Sequence, residues 1–191
     1  AVTFYDSPVQ FRKTSFTSMD AEDALNIKNS NFIFDSSAII DTPSDCVDID
    51  FGFGIINSST FVRCGNDGLD FSGSSIKVED VDIIDVGDKG ISAGEKTRAL
   101  LQGVSIDGGH IGLSVKDLSI VGASHLNLSN LMYGITAYQK KSEFGPAELV
   151  VVDIILSDVL SPYLIEKGSK VQTSDAIIEG TEENVYGVIY P

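Results

Sequence analysis

Apolar residues recur in pairs two positions apart along this chain: Leu25/Ile27, Val47/Ile49, Leu69/Phe71, Ile91/Ala93, Leu113/Val115 and Ile135/Ala137. The first members stand at 25, 47, 69, 91, 113 and 135, a step of 22 residues each time. A glycine precedes the later four pairs (Gly68, Gly90, Gly112, Gly134), where Ala24 and Cys46 hold the same place earlier. Two further short apolar runs fall inside each unit, the second at 32–34, 55–56, 76–78, 99–101, 120–121 and 149–152. The third lies at 61–62, 81–83, 104–106, 126–128 and 154–156. Each run alternates with polar residues and is bounded by Gly, Asn, Asp or Ser, which is the length and period of a β-strand. No stretch keeps a 3.6-residue period over eleven positions, so helix is predicted to be nearly absent.

Three short strands per 22 residues, in constant register, predict a solenoid rather than a hairpin sandwich. The expected fold is all-β: a right-handed parallel β-helix of about eight coils, with three parallel sheets and coils about 4.8 Å apart. The hand follows the general rule for parallel crossovers. One domain spans 1–191, with regular coils over 23–157 and less regular ends at 1–22 and 158–191. Residues 139–147 break the period as an inserted loop. Thr3/Tyr5 extend the series backward, Leu164 resumes it, and 187–190 read as another first strand. Neither end carries an amphipathic cap, so the chain reads as a module of a longer polypeptide that could stack on neighbouring domains.

Composition narrows the function. With 13 Lys+Arg against 28 Asp+Glu the net charge is −15, which argues against nucleic acid and anionic membranes. No window of 18 apolar residues exists, so no membrane insertion is expected. The chain begins at Ala1 without a basic and apolar leader, so any signal peptide is expected to be already removed or never present. Cys46 and Cys64 fit either one disulfide or two small buried residues, and their spacing is not that of a zinc site.

If the paired residues point inward, their neighbours point outward. The outer face of the first sheet then reads Asn26/Lys28, Asp48/Asp50, Asp70/Ser72, Ser92/Gly94, Ser114/Lys116 and Thr136/Tyr138. Asp48 and Asp70 stand one coil apart, about 5 Å, with Asp50 beside them. Such carboxylates share a proton, recruit Ca²⁺, or spread apart into water. A second cluster gathers Glu95, Asp117, Lys89, Lys116, Lys140 and Lys141. It reads either as a subsite for an anionic sugar or as a ladder of salt bridges. Tyr138, on the exposed face, could stack on a sugar ring. Ser74, Thr97 and Ser119 precede the second strand in successive coils and read as turn hydrogen bonding. His110 and His125 show no triad logic. The run 65–70 matches a calcium-binding nonapeptide only once, without its repeat, and is rejected.

The runs NDGLDFSGS, GDKGISAGEKT, IGLSVKDLS and AYQKKSEFG resemble the right-handed parallel β-helix repeat regions of bacterial extracellular and surface proteins. Some of those accompany CotH-like or lamin-tail domains. The resemblance covers about 23–157 and implies the pectate-lyase-like superfold in an extracellular or cell-surface setting. In that superfold, polysaccharide lyases hold Ca²⁺ with acidic residues of the first sheet and use Lys or Arg as base. The resemblance thus implies a metal-binding part for Asp48, Asp50 and Asp70, and a catalytic part for Lys116, or Lys89, as base with Asp48 and Asp70. Lys89, Glu95, Asp117, Tyr138, Lys140 and Lys141 would bind substrate. Arg63 and Arg98 lie elsewhere in the coil, and the pectin-hydrolase signatures are absent. The expected function is therefore a non-catalytic face that binds carbohydrate or a cell surface. The alternatives are a Ca²⁺-assisted lyase or hydrolase of acidic polysaccharide, and a structural spacer.

Overall fold

The computed structural model describes residues 1–191 and is a β-solenoid of about eight turns, with 66% strand and 3% helix. Its first face is laid down by the short strands Val2–Tyr5, Asp23–Lys28, Asp45–Asp50, Leu69–Ser72 and Lys89–Gly94. In later coils the strands run on around the corners, so Arg98–Lys116, Ile120–Tyr138 and Glu148–Ile165 each cover nearly a whole turn. Every coil pairs in parallel with the next, in the register Leu25↔Val47↔Leu69↔Ile91↔Leu113↔Ile135. Like residues therefore stack inside, and 39 buried apolar side chains form one continuous core.

The corners are backbone features. One column of residues takes the left-handed conformation in successive coils: Asp6, Asn29, Phe51, Gly73, Glu95 and Asp117, all with φ between 48° and 60°. Each opens a turn that a right-handed residue could not make. Next to it stand the hydroxyls expected to bond within turns. Ser74 Oγ accepts from Gly52 N–H at 2.9 Å, Thr97 Oγ1 from Ser74 N–H at 3.2 Å, and Ser119 Oγ from Thr97 N–H at 3.1 Å. These buried hydroxyls satisfy amides that the sheets leave unpaired. Cys46 and Cys64 form a disulfide that joins the beginning and end of a single coil.

The ends depart from the sequence reading. The first coil has 23 residues, so Val2 pairs with Leu25 and Phe4 with Ile27. Thr3 is exposed and Tyr5 is 62% exposed, so these two point outward. After the inserted loop Tyr163 and Ile165 continue the inward column, and Leu164 pairs with outward Thr136. Residues expected to add a first strand instead form the short helix Val185–Ile189. The strand Ile177–Glu179 runs antiparallel to Lys170–Gln172, and the chain folds back over the first sheet.

Candidate functional site

Three outward columns meet on the first sheet. One runs Asp23, Asp45, Asp67, Lys89; the second Asn26, Asp48, Asp70, Ser92, Ser114, Thr136; the third Lys28, Asp50, Ser72, Gly94, Lys116, Tyr138. Acidic residues occupy the early coils and lysines the later ones. Asp23, Asp48, Asp50 and Asp70 of the early part are half-buried and Asp45 and Asp67 are buried, while the later part is covered. Val185 and Ile189 of the C-terminal helix are four apart, on one helix face, and pack on Ile111 and Tyr138. Glu166 anchors the cover, accepting from Val185 N–H at 2.9 Å and from Gln139 N–H at 3.2 Å.

Ser92, Ser114, Thr136 and Tyr138 are consequently 0% exposed, although strand alternation alone assigns them to solvent. Beneath the cover lies a polar cavity of about 280 Å³. Five of the residues expected to act, Asp70, Lys89, Lys116, Tyr138 and Lys140, line it together. So do Asp67, Asp88, Tyr186 and Tyr190, which the sequence reading passed over. Asp67 had a signal, since it continues the column Asp23, Asp45 at the 22-residue step. The tyrosines had none.

The side chains of the cavity divide into satisfied and unsatisfied groups. Lys89 lies 3.3 Å from Asp67 Oδ1 and also contacts Asp88 Oδ2. Tyr190 donates its hydroxyl to the same Asp88 oxygen at 2.7 Å. Lys116 runs over Gly94, is 7% exposed, and forms no ion pair. The Tyr138 hydroxyl and Asp88 Oδ1 are buried without a hydrogen-bond partner, as is the Ser92 hydroxyl outside the cavity lining. Lys140 sets its ammonium 5.6 Å from the Tyr186 ring centroid, at the rim. Buried polar groups are normally paired, so this concentration marks space shaped for something else.

Electrostatics sharpen the picture. Burial holds the Lys116 amine below its ordinary value, against the attraction of Asp70. Burial pushes Tyr138 up to about 12. Burial, then the charges of Asp50 and Asp70, push Asp48 up to about 7. Asp23 and Asp45 are raised too, first by burial.

The other expected residues lie outside the cavity. Glu95 pairs with Lys141. Asp117 is buried and accepts from the Lys140 and Lys141 amides at 2.7 and 2.8 Å, fastening the inserted loop to the solenoid. These three form a salt-bridge and turn ladder. Asp48 accepts from Asn26 at 2.7 Å and Asp50 pairs with Lys28 at 3.1 Å. No three His, Cys, Asp or Glu side chains converge closely enough to hold a metal, so Asp48, Asp50 and Asp70 do not fit a calcium cage as arranged.

The raised aspartates give a pH dependence. A carboxyl whose folded pKa exceeds its unfolded value near 3.8 binds more protons in the folded state between the two, so its stabilisation is lost as pH rises toward 7. The protein is expected to melt about 5 °C higher at pH 5 than at pH 8, from a contribution on the order of 2 kcal/mol. Asp48→Asn should flatten that slope. Thermal melts across this range that fall on acidification, or an unchanged slope in the variant, would refute the assignment.

No family model matches the chain, and no curated protein or solved structure matches it.

Proposed function

We propose that this solenoid is a non-catalytic, extracellular carbohydrate-binding domain, and that the cavity under the C-terminal helix takes a sugar unit bearing a carboxylate. The observation that carries this reading is the buried Lys116 amine, which forms no ion pair, in the same cavity as the partnerless Tyr138 hydroxyl. An ammonium suits the carboxylate, hydroxyls and Asp70 suit the sugar hydroxyls, and the Tyr186 and Tyr190 rings offer apolar faces. About 280 Å³ suits a single saccharide unit. The Cys46–Cys64 disulfide supports an oxidising, extracellular setting.

One observation favours catalysis as a second reading. A buried amine held below its ordinary value, with Asp70 in the same cavity, has the properties of a Brønsted base for β-elimination on a uronic-acid polymer.

Calorimetric titration with uronate oligosaccharides and with neutral ones distinguishes these readings. Binding of the uronates alone is expected, weakened about tenfold or more by Lys116→Met, as befits a charge-assisted hydrogen bond of roughly 1.5–3 kcal/mol. Absence of binding to either class would overturn the proposal. Release of unsaturated product from a uronate polymer would replace it with the lyase.

A further inference from the structure

Lys89 and Asp67 face each other across adjacent coils, 7% and 2% exposed. The Lys89 amine stands 3.3 and 3.5 Å from the two oxygens of the Asp67 carboxyl. The backbone fixes this meeting as well as the side chains do. Lys89 N–H donates to Asp67 Oδ1 at 3.0 Å, and Gly68 N–H donates to the Lys89 carbonyl at 2.8 Å. A third group completes the cluster. Asp88 Oδ2 accepts from the Lys89 amine and from the Tyr190 hydroxyl, while its Oδ1 makes no hydrogen bond and faces His110 Nδ1 at 3.6 Å. The Tyr190 ring lies over the amine, 5.6 Å from its centroid, and shields it from water.

We propose that Lys89 Nζ and Asp67 Cγ condense into an intramolecular isopeptide bond, with Asp88 as the proton carrier. Nucleophile and electrophile are buried and held in contact, the condition under which proximity most accelerates a bimolecular step. The Lys89 ammonium gives a proton to Asp88, and the free amine attacks Cγ of the neutral Asp67 carboxyl. The tetrahedral carbon expels its hydroxyl, which takes that proton from Asp88 and leaves as water. The nitrogen then gives up a second proton through Asp88 to solvent. An ammonium and a carboxylic acid have become an amide, one water and one proton, with no oxidant or cofactor.

Burial pushes the Asp67 carboxyl up to about 7, so much of it is neutral near that pH. Against burial, hydrogen bonds from Lys89 and Tyr190 hold Asp88 below the usual carboxylate value, while the Asp67 and Asp88 carboxyls hold the Lys89 amine above its own, so proton transfer from Lys89 to Asp88 is the uphill step that contact between them must carry.

Mass spectrometry of the intact, reduced wild-type chain tests this directly. A mass about 18 Da below that of the sequence, the loss of one water, is expected. Asp67 precedes Gly68, and a succinimide there would lose the same mass, so the tryptic map decides. An isopeptide gives a branched peptide joining residues 64–77 to residues 78–96, uncleaved after Lys89 and resistant to hydroxylamine. The full sequence mass, or a loss confined to Asp67–Gly68, overturns the proposal. In folded Asp88→Asn the uncross-linked mass is expected to dominate, and complete cross-linking there would remove Asp88 from the step.

Discussion

Leu113→Asp is expected to cost about 5 kcal/mol or more, whereas Leu100→Asp should change stability by roughly 0.5 kcal/mol or less. Both leucines lie on the strand Arg98–Lys116, and only the face they occupy differs. Leu113 is 0% exposed and stacks between Ile91 and Ile135, while Leu100 is 62% exposed. The first change forfeits a buried leucine, about 2–3 kcal/mol, and places an unpaired carboxyl in the core at several kcal/mol more. Native domains hold only about 5–15 kcal/mol in total, so the coils around Leu113 should lose their folded state. Urea unfolding followed by circular dichroism compares the two. Similar midpoints would mean that the inward and outward assignments are wrong.

Breaking the Cys46–Cys64 disulfide comes next in size. Its 18-residue separation corresponds to roughly 3 kcal/mol of loop-closure entropy. The bond locks the circumference of one coil. Equivalent places hold Ala24 and Thr42 in the coil before, and Gly68 and Val86 in the coil after, so their coils close by packing alone. Both cysteines are at most 1% exposed, so reductant should act only after local opening. Cys46→Ala combined with Cys64→Ala should lower the urea-derived stability by about 3 kcal/mol, with part of the loss due to the cavity. A loss under about 1 kcal/mol would show that the coil is already closed by its neighbours.

The 22-residue spacing made the solenoid and the inward residues legible, because identical steps place like residues in ladders whatever lies between them. Ile49, Leu69 and Leu113 occupy the interior that this spacing assigns. The first coil escaped because its step is 23, and one residue exchanges the two faces of a strand. The C-terminal helix escaped for another reason. Five residues rich in valine, isoleucine and tyrosine have no helical period to detect, and tertiary contacts of Val185 and Ile189 impose the conformation. With that cover invisible, Tyr138 and Ser114 read as surface residues. The lysines and Asp70 could still be gathered on one face by register, but the cavity that unites them depends on the fold-back.

The hydrogen bond from Tyr190 to Asp88 spans 102 residues, whereas side-chain hydrogen bonds such as Lys89 N–H to Asp67 and Thr97 N–H to Ser119 reach one coil, and the Lys141–Glu95 pair reaches two. A repeat array can begin folding anywhere and extend by adding neighbours, so its kinetics are set by short loops. This one contact obeys different rules. It can close only when the coils between Asp88 and Glu166 have already zipped into place, since the helix is positioned through Glu166. Cavity formation should thus trail the growth of the sheets as a separate, late phase, leaving partly zipped chains with native strands and no enclosed cavity.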